Sequence, residues 1–223
     1  MNDLTSEILQ KNIYDFMSHE QLEKSLKVTL NKNIVFIPAM AQENIDLYYI
    51  LEGNVGVYSQ SYNGRRFLID TLGPNQFVGK FSQMRKQNFY CEIKTNTQAT
   101  MLKLTDIKNE LFNHEHFLLY FYVKTSNRVY EMYKISMART LFSYEELLAH
   151  YLLNKANETG FIGDTDANIC LEANISERQY YYITKKFEND HLINHDKKGR
   201  YIHDVAGLKD IASNVTKFMK NQI

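Results

Sequence analysis

Ala173-Asn174-Ile175-Ser176-Glu177-Arg178-Gln179-Tyr180-Tyr181-Tyr182-Ile183-Thr184-Lys185-Lys186-Phe187-Glu188 is the stretch from which the rest of the chain can be read. Asn174-Ile175-Ser176 turns the chain, and the Ser176 hydroxyl is placed to accept from an orphan amide at the start of a helix. Gln179 stands three residues later, the spacing of a capping box. Tyr180, Ile183 and Phe187 then recur at three- and four-residue steps, so they form one apolar stripe. The opposite face displays Arg178, Tyr181 or Tyr182, and Lys185. Just upstream, Ala167-Asn168-Ile169-Cys170-Leu171-Glu172-Ala173 predicts a first short helix, against whose Ile169 and Ala173 the stripe would pack.

Downstream, Asn189-Asp190-His191 leads into Leu192-Ile193, which opens a strand. Lys197-Lys198-Gly199-Arg200 reads as a basic hairpin tip before Tyr201-Ile202. Two helices joined by a tight turn, the second with a free polar face, suit insertion into the major groove of DNA. A basic wing suits phosphate contact. The candidate DNA-contacting residues of this motif are Ser176, Arg178, Tyr181, Tyr182, Lys185, Lys197, Lys198 and Arg200. Arg178 either reads a guanine or is a solvated arginine paired with Glu177 or Asn174. Lys185, Lys197, Lys198 and Arg200 read equally as phosphate contacts or as solvated surface charges. From Ile175 to Tyr201 six Lys/Arg stand against four Asp/Glu, so the local charge is only +2.

Towards the N-terminus the pattern changes. Between about Thr29 and Leu104, short apolar runs are broken by glycine and asparagine. Leu47-Tyr48-Tyr49-Ile50-Leu51 meets the turn Glu52-Gly53-Asn54. Val55-Gly56-Val57-Tyr58 and Phe67-Leu68-Ile69-Asp70 flank Ser61-Tyr62-Asn63-Gly64, a hairpin signal. Leu72-Gly73-Pro74-Asn75 is a further break, and Gln98 to Leu104 alternates as a closing strand. Such spacing predicts a sandwich or barrel. From Asp106 to Ala138 there is no Gly or Pro, and Leu111, Leu118, Phe121, Val129, Met132 and Ile135 predict one long amphipathic helix or two consecutive ones. An apolar stripe left over on it would be covered most simply by a second copy of the chain. Leu141, Leu147, Leu148, Tyr151 and Leu152 predict another helical face, Asn157 to Asp166 a polar connector, and Val205 to Lys220 a final helix.

The composition is that of an ordinary folded protein: 223 residues, 44% hydrophobic and 23% charged. The mean hydropathy of −0.43 and the absence of a long apolar run argue against a membrane protein. No signal-peptide pattern opens the sequence, so a cytoplasmic location is expected. Cys91 and Cys170 form no CxxC pair, which disfavours a zinc ribbon or a disulfide framework. With 26 basic and 26 acidic residues the net charge is zero, so any nucleic-acid role must rest on where charges sit. His114-Glu115-His116 cannot share a metal ion easily, because histidines two apart on a helix point about 200° apart. Gly73 to Lys80 has five residues between its glycines and Phe81 where a phosphate loop needs Ser or Thr. No catalytic set stands at credible spacing, and no enzyme, metal or cofactor is expected.

Ala173-Asn174-Ile175-Ser176-Glu177-Arg178, Leu192-Ile193 and Gly199-Arg200-Tyr201 together resemble the winged helix-turn-helix of the Crp/Fnr superfamily. Tyr49-Ile50-Leu51-Glu52-Gly53-Asn54-Val55 and Gly64 to Gly79 are similar to that family's sensor barrel and the approach to its effector pocket. The resemblance spans about residues 25 to 205. It is closest to YeiL-like regulators, with some likeness to the PrfA-like branch. It implies an α+β architecture: a cyclic-nucleotide-binding-like β-roll over residues 1–105, a dimerisation helix over 106–137 and a winged helix-turn-helix over 138–223. It further implies a homodimer bound to a palindromic site in double-stranded DNA, with contact to RNA polymerase. Glu177 and Tyr182 fall where the family also contacts DNA, with Tyr182 in place of a typical arginine, so the resemblance does not carry over the target sequence.

The departures concern the effector. Cyclic-AMP binders of the family carry a Gly-Glu pair for the ribose, where this chain has Gly79-Lys80. Their Arg-Ser or Arg-Thr phosphate pair falls near Phe89-Tyr90, which offers no cation; Lys80, Arg85 or Lys86 could meet an anion only by another geometry, so a cyclic nucleotide is disfavoured. Two cysteines cannot supply the four thiolates of an iron-sulfur cluster. The candidate pocket is therefore Gly79, Lys80, Phe89, Tyr90 and Cys91 with an unknown small-molecule effector. Cys91 is placed to sense a thiol or an oxidant, but with no nearby cation it reads better as a small buried hydrophobe. Tyr48, Tyr49, Tyr58, Tyr62 and Tyr90 read better as core than as pocket lining. The alternative to a DNA-binding regulator is a ligand-binding β-roll protein whose helix-turn-helix mediates protein interaction.

Overall fold

The computed structural model describes residues 3–38, 46–60, 66–79, 91–196 and 199–220. The chain divides into two compact units, Met1–Tyr130 and Glu131–Ile223.

Among its described residues the first unit has eight strands: β1 Leu26–Leu30, β2 Val35–Ile37, β3 Leu47–Glu52, β4 Val55–Gln60, β5 Arg66–Leu72, β6 Phe77–Gly79, β7 Cys91–Thr95 and β8 Ala99–Lys103. They form two four-stranded sheets with orders β1-β8-β3-β6 and β2-β7-β4-β5, and all pairings are antiparallel. Strand alternation distributes the core. Tyr48 and Ile50 of β3 face the interior between the sheets with Ile37, Val55, Leu72, Val78, Ile93 and Met101. Leu47 and Tyr49 face the other way, with Phe77, Leu102 and Leu104. There they meet a helical layer: α1 Asp3–Gln10, a 3-10 turn Ile13–Phe16, α2 His19–Lys24, α3 Lys108–Phe112 and the start of α4 Glu115–Leu141. A strand buried on both faces explains why Leu47 to Leu51 has no charged residue.

The β-rich reading of this half holds. The turn after β3 needs Gly53 at φ +80, where a Cβ would lie 2.1 Å from the Gln98 carbonyl oxygen. β4 and β5 pair out to Gln60↔Arg66, as the hairpin signal requires, while Asn63-Gly64 lie outside the described residues. Tyr48, Tyr49 and Tyr58 are core residues. Tyr49 joins three segments: its hydroxyl accepts from the Ile13 amide (3.2 Å), donates to Asn75 Oδ1 (3.1 Å) and meets the Tyr120 hydroxyl of α4 (2.9 Å).

The Gly- and Pro-free stretch forms two consecutive helices, α3 and the 27-residue α4. Its sequence-derived stripe divides between two faces. Leu111 is buried and Phe121 packs on the barrel-side cluster, whereas Leu118, Val129 and Ile135 are exposed. The exposed side of α4 also carries Leu119, Tyr122, Tyr133, Met137 and Leu141. Tyrosines contribute much of this face, which a count of aliphatic residues overlooks.

The second unit contains α5 Tyr144–Lys155, β9 Phe161–Ile162, α6 Asp166–Ala173, α7 Glu177–Asn189, β10 Ile193–Asp196, β11 Gly199–Ile202, α8 Val205–Ile211 and α9 Ser213–Lys220. Its three-stranded sheet has the order β10-β11-β9. Three expectations change here. Leu141 closes α4 rather than opening α5, because Ser143 starts a new helix with Glu146 in a reciprocal capping box. The polar connector after Ala156 supplies a strand, with Phe161 and Ile162 pairing with Tyr201 and Arg200. The C-terminal stretch is two helices, separated at Ala212.

Candidate nucleic-acid interface

The helix-turn-helix is assembled from local signals. Thr165 caps α6, its side chain accepting from the Asn168 amide. At the other end Asn174 takes the left-handed conformation, φ 52 and ψ 48, and the Ile175 amide returns to the Cys170 carbonyl at 3.0 Å. This is the ordinary way to end one helix and re-aim the chain for another. Ser176 then caps α7, accepting from the Gln179 amide, while the Gln179 side chain accepts from the Ser176 amide. The cap and the turn set the local path of the chain into α7.

The buried stripe of α7 is Tyr180, Ile183, Thr184 and Phe187, and its apolar members pack in one core with Ile169, Cys170, Leu148, Leu152, Leu192, Ile193 and Leu208. Ala173 is partly buried against the same cluster, so the predicted contact with α6 is present. At 100° per residue, Arg178, Tyr182 and Lys185 lie about 140–200° around the axis from Tyr180. All three are exposed, as are Glu177 and Tyr181 to differing degrees. Among the described residues Arg178 makes no ion pair or hydrogen bond, so the pairing with Glu177 or Asn174 that could have occupied it is absent. The Lys185 ammonium lies 5.8 Å from the Tyr181 ring centroid. Lys186, one residue on, is held by both Glu145 carboxylate oxygens at 2.7 and 2.9 Å. That carboxylate raises the lysine pKa.

Arg200 departs from the sequence-based assignment. It is only 6% exposed. Its guanidinium makes a forked ion pair with Asp166, the first residue of α6, through Nη1–Oδ1 and through Nη2–Oδ2 at 3.1 Å. It also lies over the Tyr180 ring, 5.0 Å from the centroid. The hydrogen bond from Arg200 holds the Asp166 carboxyl below its ordinary value. Arg200 thus ties β11 to both helices of the motif, and its charge is spent internally rather than presented at the hairpin tip. Lys197 and Lys198, the rest of that tip, lie outside the described residues.

An open groove runs beside α7, lined by Tyr144, Glu145, Arg178, Gln179, Tyr182 and Ile183. Tyr144 and Glu145, from the first turn of α5, border the exposed face of α7. Sequence reasoning did not place them there, because Glu145 and Arg178 are more than 30 residues apart and no local pattern links them.

Of the candidate effector residues, Gly79 ends β6, opposite Leu47 of β3. A Cβ there would lie 2.5 Å from the Asp46 carbonyl oxygen, so the close backbone approach itself requires glycine. Cys91 opens β7 opposite Ser59. Lys80, Phe89 and Tyr90 lie outside the described residues. The other cysteine, Cys170, is buried, and desolvation raises its pKa, as befits a small core residue. No helix is long and apolar enough to cross a membrane among the described residues.

Residues 32–111 match the family model of the cyclic nucleotide-binding domain. No curated protein sequence matches the chain. A Crp/Fnr-family protein from Eubacterium rectale is 13% identical, with 90% of this chain and 97% of that one superimposed at a TM-score of 0.76. A CRP/FNR-family transcriptional regulator from Thermus thermophilus is 15% identical over 84% of this chain and 98% of its own, with a TM-score of 0.70. The c-di-GMP-responsive global regulator CLP of Xanthomonas campestris is also 15% identical, over 84% and 100%, with a TM-score of 0.67. The resemblance read from Asn174 to Tyr201 and from Tyr49 to Val55 therefore holds at the level of domain and architecture: the chain carries a cyclic nucleotide-binding domain and has the α+β fold of the Crp/Fnr-family regulators.

Proposed function

We propose that this chain is a dimeric, sequence-specific DNA-binding transcription regulator of the Crp/Fnr type. The observation that carries this reading is the outward face of α7. Arg178, Tyr182 and Lys185 project from a helix whose other side is locked into the core, and Arg178 has no partner among the described residues. Ser176, Glu177 and Tyr181 border that face, and Lys197 and Lys198 of the hairpin tip meet phosphates. Two copies joined along α4 would present their α7 helices about one DNA turn apart, on a palindromic site in double-stranded DNA. The functional parts are the β-roll 1–105, the dimerisation helix 106–137 and the DNA-binding domain 138–223. Regulation proceeds through contact with RNA polymerase, and the protein works in the cytoplasm.

The effector is a small molecule other than cyclic AMP, held near Gly79, Lys80, Phe89, Tyr90 and Cys91, with no iron-sulfur cluster. Support comes from Gly79-Lys80, where a ribose-binding acid is replaced by a cation, and from Phe89-Tyr90, which brings no charge to a cyclic phosphate. An effector acts by binding one arrangement of the DNA-binding domains more tightly than the other.

The test is selection of DNA fragments by the purified protein at two salt concentrations, with and without the small-molecule fraction of a bacterial extract. A palindromic site should emerge. Arg178→Ala should weaken it by about 1–3 kcal/mol and relax base preference, whereas Lys198→Ala should weaken all sequences alike and reduce the salt slope by about 1. Equal, sequence-independent losses from both variants would remove α7 from its role as the reading helix. Enrichment under neither condition would favour the protein-interaction module, the reading to which the zero net charge lends weight.

A further inference from the structure

We infer that Tyr182 reads the C5-methyl group of a thymine lying within two base pairs of the guanine contacted by Arg178. This inference rests on the DNA-binding reading of α7. Tyr182 is 74% exposed, and among the described residues its ring makes no stacking contact and its hydroxyl no hydrogen bond. A single exposed aromatic residue needs no explanation by itself; position sets this one apart. Tyr182 sits near the centre of the outward face of α7, not on its flanks. The flanks belong to Tyr181, 66% exposed and beside the Lys185 ammonium, and to Lys186, which Glu145 occupies. In a helix laid in the major groove, the central residues meet base edges and the flanking ones meet the phosphate walls.

Arg178 and Tyr182 are one turn apart and line the same groove, so their side chains leave the helix as neighbours. Their separation of about 6 Å corresponds to no more than two base-pair steps. The major groove offers one apolar group, the thymine methyl, and an apolar side chain is the contact that selects it. A phenol hydroxyl both donates and accepts, so it discriminates poorly between base edges, and the ring carries the selectivity. The exposed face of α7 has Arg178 and Lys185 against Glu177, which leaves it little net charge. A specificity built on ring and methyl contact fits that balance better than one built on several cations.

The measurement uses the duplex recovered by the full-length protein from a random-sequence library, with each thymine replaced in turn by deoxyuridine, which removes only the methyl. One thymine per half-site, within two base pairs of a guanine, should be sensitive. Losing its methyl should weaken the wild type by about fourfold in one half-site and about fifteenfold in both. Tyr182→Phe should keep that sensitivity, and Tyr182→Ala should bind thymine and deoxyuridine duplexes alike. Tyr182→Ala is expected to fold normally, which circular dichroism would verify. Binding unaffected by deoxyuridine at every position would overturn the inference while leaving the DNA-binding reading intact. So would loss of methyl sensitivity in Tyr182→Phe, which would give the selectivity to the hydroxyl. Failure of the wild type to bind any duplex, with and without the small-molecule fraction of a bacterial extract, would overturn both.

Discussion

Asp166 and Arg200 stand 34 residues apart and meet in a forked ion pair, with Tyr180 packed beneath the guanidinium. Arg200→Ala strips a partly exposed carboxylate of its partner and uncovers a buried ring. Solvent screening at Asp166 moderates the loss, so the expected cost is about 1–3 kcal/mol in urea unfolding near neutral pH. The pH dependence has a definite sign. Arg200 depresses the folded-state value of Asp166 below its unfolded one, so the pair's electrostatic contribution is complete above about pH 4 and is lost as pH falls through the folded value. Wild type and Arg200→Ala should therefore converge in stability below about pH 4. A gap of constant size across that range would assign the effect to packing over Tyr180 instead.

Within the helix-turn-helix, the chain changes direction at Asn174, whose left-handed backbone is costly for most residues. Asparagine tolerates it and glycine tolerates it best. Asn174→Ala should thus destabilise the second unit by about 1–2 kcal/mol, while Asn174→Gly should leave it nearly unchanged. Thermal unfolding followed by circular dichroism compares them directly. Equal losses would mean that the asparagine side chain matters, not the backbone geometry. Because the same turn sets the entry of α7, the Ala variant should also lose DNA affinity, and the Gly variant should retain it.

Across the molecule, two quantities point in different directions. A net charge of zero gives no long-range pull on DNA, so on the proposed DNA-binding reading affinity must come from few, well-placed contacts. The long helix α4, about 40 Å from end to end, exposes Leu119, Tyr122, Val129 and Tyr133 in heptad register, followed by Met137 and Leu141 at four-residue steps on the same side. The heptad part has the spacing that a two-stranded seam uses. Val129 is 62% exposed, so Val129→Glu should leave each chain folded. In sedimentation equilibrium the wild type should run at twice its 26.3 kDa and the variant at 26.3 kDa, with binding to the palindrome lost in parallel. A variant that stays dimeric would place the self-association surface elsewhere.

The sequence by itself determined the elements whose signals lie within a few residues: the Ser176–Gln179 cap, the turn at Asn174, the stripe of α7, the glycine turn after β3 and the β4–β5 pairing. Each rests on backbone geometry or on side chains one helical turn apart, which local spacing encodes. Only the tertiary structure decided which exposed-looking charges were free. Arg200 reads as a cation of the hairpin tip and Lys186 counts towards the local charge of +2, yet Asp166 and Glu145, 34 and 41 residues away in the chain, claim them. The same holds for the face of α4 that the barrel covers and for the strand inside the polar connector. Burial and ion pairing across such separations depend on how whole elements pack, and no window of sequence contains both partners.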